Sequence, residues 1–270
     1  MKRIGVILFG FALFCPAVHA SKTPFKIVVD PGHGGADEGT VYDDGRTRVA
    51  EKDVTLLLAR QVVRQLKNRG YKVYMTRNTD REVPLPARTA LANRLGADVF
   101  LSIHMNSTPT PMVNDAQGIE TYILNSTSDA SSRRLAHLEN SVTGASATDS
   151  PEGMDVALIL KDLRLDANVT ESKRLACSIQ GNMVSASTDA GHSRRNRGVK
   201  QALFHVLLGA DMPSVLLEAG FLTSSKDRNV VLSVRGQHAI SGAITRALDQ
   251  FRKLKGTRQA IAALSSCKVN

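Results

Sequence analysis

The sequence predicts one α/β domain, a sheet flanked by helices, and three observations carry the prediction. Short apolar, β-branched runs alternate with longer segments whose apolar residues recur at helical spacing, the pattern of a sheet covered by helices. The runs are bounded by Gly, Pro and Asp, as buried strands are. Three of them end in ionisable residues. Residues 25–29 run into Asp30-Pro31-Gly32-His33-Gly34-Gly35, 97–103 into His104-Met105-Asn106-Ser107, and 213–217 into Glu218-Ala219-Gly220-Phe221. Open α/β sheets build their sites beyond the carboxyl ends of their strands. Two histidines and a glutamate at three such ends point to a single metal-hydrolase site.

Taken in order, residues 1–20 stand outside the domain. Lys2-Arg3 is a basic start, 4–14 is an apolar stretch too short to span a bilayer, and Val18-His19-Ala20 approximates a small-x-small cleavage pattern. A signal peptide cleaved after Ala20, and a periplasmic or secreted mature chain, are expected. No later segment reads as a transmembrane helix. The first strand covers 25–30, and 36–50 is polar and loop-like. Ala50-Glu51-Lys52-Asp53 opens a helix with Val54, Leu58, Val62 and Leu66 on one face, closed by Gly70, a usual C-terminal residue. Residues 71–75 form a second strand, 86–95 a helix, 97–103 a third strand, and 118–124 alternate as a fourth.

From 125 to 153 the composition shifts to Ser, Thr, Ala and Asp, which reads as a mobile insertion with a short helix around 133–139. A compact apolar helix at 154–163 and a longer one at 166–187 complete the insertion, about 125–187 in all. Residues 189–200 form a basic, glycine-bearing loop, 199–207 and 214–217 are further strands, 235–254 the last helix, and 255–270 a basic tail. No repeat or long linker divides the chain, so 25–254 is expected to form one domain.

At 270 residues and 42% apolar, the chain can bury a sizeable core. The net charge of +10 becomes +8 once Lys2 and Arg3 are removed, which suits an anionic polymer such as cell wall. With 4% aromatics and no Trp, there is no stacking platform for bases, and no nucleic-acid partner is expected. Cys177 and Cys267 remain in the mature chain. Export permits a disulfide, but Cys177 lies in an apolar helical stretch and reads as a buried thiol.

Four residues could carry chemistry. His33 sits in a glycine-rich turn, where backbone can approach a ligand closely. His104 follows a strongly apolar strand. Glu51 falls in the first turn of a helix, a position that favours an acid in any case. Glu218 follows Val215-Leu216-Leu217, so its carboxylate would be partly buried and needs a partner or a raised pKa. Asp37 and Glu38, just beyond His33, compete as ligands. Two imidazoles and one carboxylate suit Zn²⁺ with a fourth position open, and a further glutamate suits a general base. No His-x-x-x-His, Gly-x-Ser-x-Gly or phosphate-binding glycine motif offers another chemistry.

The ordered set Val-Asp-Pro-Gly-His-Gly-Gly, Ala-Glu-Lys-Asp, Thr-Arg-x-x-Asp, Ser-Ile-His-x-Asn and Leu-Leu-Glu-Ala-Gly-Phe-Leu resembles the zinc-dependent N-acetylmuramoyl-L-alanine amidases of the type-3 amidase family, over about 25–253. The resemblance implies a mixed, mostly parallel sheet wrapped by helices, and a monomer is expected. It also implies cleavage of the amide joining the lactyl group of N-acetylmuramic acid to L-alanine in peptidoglycan. By motif match, His33, Glu51 and His104 would hold Zn²⁺, Glu218 would be the catalytic carboxylate, and Arg77 and Arg88 would be structural supports. Members working at the division septum carry a helix in the insertion that covers the zinc and is displaced by an activator with a LytM domain. Residues 153–163 resemble that helix, with Asp155 or Asp162 as its candidate metal contact. The alternatives are a zinc peptidase acting on wall peptides and a non-catalytic wall-binding regulator.

Overall fold

The structure, a computed structural model, describes residues 24–108, 116–141, 162–189, 194–254 and 267–269, and only the backbone of 162–167 and 188–189. The expected signal segment, residues 154–161 and most of the tail lie outside the described residues. The strands are β1 (Lys26–Pro31), β2 (Val41–Asp43), β3 (Arg48–Ala50), β4 (Lys72–Met75), β5 (Val99–Asn106), β6 (Ile119–Leu124), β7 (Asn196–Ala202) and β8 (Ser214–Phe221). Six of them form one sheet in the order β4-β1-β5-β8-β6-β7, and β2 and β3 pair as a separate ribbon. β4, β1, β5 and β8 run parallel, β6 is antiparallel to β8, and β7 is parallel to β6. The sheet is mixed and mostly parallel, as the resemblance implied.

Strand side chains alternate between faces, and both faces of this sheet are covered. One face carries Ile27, Val29, Leu101, Ile103, Val215 and Leu217. It packs against α1 (Glu51–Asn68), α4 (Asp162–Asp189), α5 (Ser225–Leu232) and α6 (Val234–Leu254). The other carries Val28, Phe100, Tyr122 and Leu216. It packs against α2 (Leu85–Leu95), α3 (Ala130–Asn140) and a 3₁₀ turn at His205–Leu207. On α1 the expected stripe is the buried one: Leu58, Val62 and Leu66 are fully covered, each contributing roughly 1.5–3 kcal/mol by leaving water.

Besides β7, which spans Asn196–Ala202 where a loop to 200 and a strand at 199–207 were expected, with a 3₁₀ turn at His205–Leu207, four features differ from the sequence reading. Residues 36–50 are not all loop: β2 and β3 form a short ribbon, closed by Asp44, whose carboxylate accepts from the backbone of Arg46 and Thr47. Three-residue strands are too short for alternation to register. The last helix is preceded by α5, capped by Ser224, whose side chain accepts from Asp227 N–H. β5 and β8 continue past the expected ends, through Asn106 and Phe221, so His104 and Glu218 lie within the last residues of their strands rather than after them.

The fourth difference is Cys177, which is not a free thiol: it is bonded to Cys267 across 90 residues, with Cα atoms 6.0 Å apart. The disulfide ties α4 to the chain end, where Val269 bridges to Val199 of β7. Among the described residues no helix is long and apolar enough to cross a membrane. Closing a loop of this length is worth about 4–5 kcal/mol in the chain-entropy account. Cys267→Ser should therefore lower the unfolding free energy by up to that amount in urea titrations. An unchanged midpoint would show that the cross-link constrains nothing the fold had not already fixed.

Candidate metal centre

The site begins with the turn that leaves β1. Asp30 is fully buried, and its carboxylate accepts from Thr76 Oγ1, from Ser102 Oγ at 2.7 Å and from Arg88 Nη1 at 2.9 Å. Burial opposes its ionisation, but Arg88 and the two hydroxyls outweigh burial and hold the carboxyl below its ordinary range. The same Arg88 donates to the carbonyls of Pro31 and His33. Arg77, also buried, donates to the carbonyls of Pro31, Gly32 and Lys52. The two guanidinium groups thus collect the carbonyls of Pro31, Gly32 and His33, the supporting role expected for both arginines. They hold His33 at φ 60°, a left-handed conformation that costs a non-glycine residue roughly 1–2 kcal/mol.

That conformation aims the His33 ring at Glu51 and His104. Glu51 opens α1, and its Oε2 accepts from Thr40 N–H and its Oε1 from Met105 N–H, at 2.9 and 2.8 Å. Its Oε1 lies 3.1 Å from His33 Nε2 and 3.2 Å from His104 Nδ1. Asp37 Oδ2 stands 2.8 Å from His33 Nδ1. This carboxylate keeps the proton on Nδ1 and leaves the Nε2 lone pair facing inward, the usual arrangement behind a ligating histidine. Asp37 therefore orients a donor rather than supplying one, and Glu38 pairs with Arg48 at the surface. Two glycines make the space. A Cβ on Gly32 would sit 2.4 Å from the His104 ring, and one on Gly39, at φ 63°, 2.6 Å from the His33 ring.

A fourth donor comes from a residue to which the sequence reading gave no role. Glu139, near the end of α3, places Oε2 3.2 Å from His33 Nε2 and 3.0 Å from His104 Nδ1. It continues the buried stripe Ser132, Leu135, Ala136, so a glutamate where helical spacing calls for an apolar residue was the available signal. Asn140 pins this end of α3, donating to Leu203 O and accepting from His205 N–H, both at 2.8 Å. Asp155 lies outside the described residues, and Asp162 opens α4 with its side chain undescribed.

The donor atoms of His33, Glu51, His104 and Glu139 lie within 4.8 Å of one another. Yet among the described residues His33 Nε2, His104 Nδ1 and Glu139 Oε2 are buried without a hydrogen-bond partner. Their lone pairs converge on a shared centre rather than on each other. Separations of 3.0–3.2 Å are close to the roughly 3.3 Å edge of a tetrahedron with ~2.0–2.1 Å bonds, as zinc has with nitrogen and oxygen. The electrostatics agree. Burial opposes protonation of both histidines, but Glu51 and Glu139 outweigh it, raising His33 well above the ordinary imidazole range and His104 to about 10. Two carboxylates demand positive charge here, which protons or a divalent cation can supply.

Glu218 completes the site. It pairs in register with His104 of β5 on one side and with Glu120 of β6 on the other. It is fully buried, and among the described residues neither carboxylate oxygen has a hydrogen-bond partner. Burial, then the charge of Glu139, push it well above the ordinary carboxylate range, against the pull of His104.

The chain as a whole is similar to known proteins. The family model described as N-acetylmuramoyl-L-alanine amidase matches residues 27–250. Amidase AmiC of Neisseria meningitidis is 33% identical over 230 residues, covering 83% of this chain and 52% of that protein. AmiA of Escherichia coli is 30% identical, covering 83% of this chain and 75% of its own. This chain thus spans about half the length of the first relative and three quarters of the second. Among solved structures, an N-acetylmuramoyl-L-alanine amidase from Clostridium difficile superposes with a TM-score of 0.64 at 27% identity, over 87% of this chain and all of its own. AmiC2 of Nostoc punctiforme gives 0.61 at 26%, over 85% of this chain and 97% of its own. The match runs from β1 to α6 and takes in every strand that carries a donor, so the chain belongs to the N-acetylmuramoyl-L-alanine amidase family.

Proposed function

We propose that this chain hydrolyses the amide between the lactyl group of N-acetylmuramic acid and L-alanine in peptidoglycan, with His33, Glu51 and His104 holding a zinc ion and Glu218 acting as general base. The observation that carries the reading is the convergence of unpartnered donors beside a buried, unpartnered carboxylate. Zinc in this position supplies a Lewis acid for the scissile carbonyl and for the attacking water. Glu218 takes the proton from that water as the C–O bond forms, and returns it to the L-alanine nitrogen as the C–N bond breaks. Asp37 holds the His33 ring, and the backbone of Thr40 and Met105 holds Glu51. Both arrangements keep the donors in place through the cycle.

Catalytic zinc sites use three protein ligands and leave the fourth position to water or substrate. Glu139 would take that position, so we read the described structure as a closed form with α3 as its plug. The regulatory element expected at 154–163 is then joined, or replaced, by α3. A LytM-domain activator that captures this segment would open the site. The Cys177–Cys267 disulfide supports passage through an oxidising compartment, in keeping with an exported wall enzyme.

Three outcomes follow for the purified mature chain. It should bind about one Zn²⁺ per molecule, as a mononuclear site does, more weakly as the pH falls because protons compete for His33 and His104. The double variant His33→Ala/His104→Ala should lose metal and activity together. Stoichiometric zinc in that variant, by elemental analysis, would sink the ligand assignment.

Glu218→Gln should keep zinc and lose on the order of 10²–10⁴ in rate, the usual contribution of a general base. Near-normal release of L-alanine amine from purified wall would move that role elsewhere. Mass spectrometry of the same digests separates an amidase from a peptidase by which new amine appears.

Glu139→Ala, which empties the fourth position, should raise turnover on isolated wall at least tenfold. That gain corresponds to only ~1.4 kcal/mol of preference for the closed form. A folded, zinc-loaded variant with unchanged or lower turnover would make Glu139 a structural ligand instead.

A further inference from the structure

Beside the metal centre lies a second cavity of about 280 Å³, between α3, the ends of β5 and β8 and the starts of β6 and β7. Its lining includes Asn106, Tyr122, Arg134, Arg195, Arg197 and Phe221, with Glu120 among them. Glu120 is almost fully buried and is compensated several times over. Its carboxylate accepts from Asn106 Nδ2 at 3.0 Å, Tyr122 Oη at 2.6 Å and Lys200 Nζ at 3.0 Å, and it also accepts from Arg197 Nε. The guanidinium of Arg197 also lies over the Phe221 ring, 5.1 Å from its centroid.

Arg197 is thereby held at one edge and one face. Among the described residues its two terminal nitrogens have no hydrogen-bond partner, and Arg197 is one of the residues that line the cavity. An oriented guanidinium with its fork free is the usual device for gripping a carboxylate bidentately. Arg134 and Arg195 add two further cations with no carboxylate partner among the described residues. The cavity is therefore cationic, and it adjoins the proposed general base, since Glu120 and Glu218 are directly paired across β6 and β8.

We propose that this cavity is the subsite for the acidic peptide that leaves with L-alanine, and that the fork of Arg197 binds a carboxylate of that peptide. The proposal rests on the amidase reading above. The chemistry of the two sides of the scissile bond decides which half enters. On the acyl side the lactyl carboxyl is consumed in the amide, leaving hydroxyls and an acetamido group. The amine side alone brings free carboxylates, which a cavity holding three arginines selects.

The test is binding without turnover. Two L-alanyl peptides are titrated into the zinc-loaded mature protein by calorimetry. One carries a free α-carboxylate on its second residue, and the other carries the primary amide there. Wild type should bind the free acid at least tenfold more tightly, about 1.4 kcal/mol. Arg197→Gln should bind both at the level of the amide. Arg197→Lys keeps a cation on Glu120 without the fork and should lose most of the preference. It also serves as the readout should the glutamine variant not fold, as judged by thermal midpoint and zinc content. No preference in wild type, or full preference in a folded lysine variant, would overturn the subsite. Muropeptides with the same two peptides separate this proposal from its premise. A preference in binding with no amine released rejects the amidase reading alone. Equal binding and equal cleavage of both forms reject the subsite alone.

Discussion

The buried ion pair between Asp30 and Arg88 is the constraint on which the rest of the site depends. With side-chain exposures of 0% and 4%, neither charge can rely on water, and breaking such a pair from one side typically costs about 3–5 kcal/mol. Its consequence is geometric as much as energetic. Arg88 bonds Asp30 in β1 and, with the same side chain, the carbonyls of Pro31 and His33 just beyond it. The direction of the strand is thus transmitted directly to the left-handed residue that presents the imidazole. Arg77 reaches the same turn from the other side and ties it to Lys52 at the start of α1, close to Glu51. Two donors from distant parts of the chain are fixed by one pair of arginines.

The charges inside the centre explain why one side chain could control it. Glu51 and Glu139 together would balance a divalent cation, and after burial the charge of Glu139 is the largest influence raising Glu218 above the ordinary carboxylate range. Withdrawal of α3 would do two things at once: free a coordination position and remove the negative charge that opposes ionisation of the proposed base. The grip on α3 suits this role. Near its end it is held by one asparagine, Asn140, on the turn at 203–205, with Leu135 and Ala136 packed beneath.

Much of this was legible in the sequence, because burial writes itself into apolar runs. The strand leading to His33 and those carrying His104 and Glu218 could be read from their β-branched residues, and α1 from its stripe. Glu218 betrayed itself as a carboxylate after Val-Leu-Leu. Glu139 did not, since a glutamate on a helix in a Ser- and Thr-rich segment reads as solvated until the partner face is known. Its position in the stripe of Ser132, Leu135 and Ala136 gains meaning only from the packing. The Cys177–Cys267 bond was hidden for a related reason. A pairing across 90 residues leaves no local pattern, and the tail has no periodicity to show that it returns to the sheet.

The reversed strand β6 accounts for the remaining feature, the pairing of the candidate metal centre with a cationic cavity. In a wholly parallel sheet, residues that begin a strand lie at the end remote from the site. β6 runs against β8 and carries β7 with it, so the starts of both strands come to the carboxyl ends of β5 and β8. Glu120, the second residue of β6, thereby faces Glu218, and Arg197, the second residue of β7, reaches Glu120. Neither residue stands at the end of an apolar run, where a reading by strand ends would look. The change of direction that makes the sheet mixed is what brings them beside the metal centre.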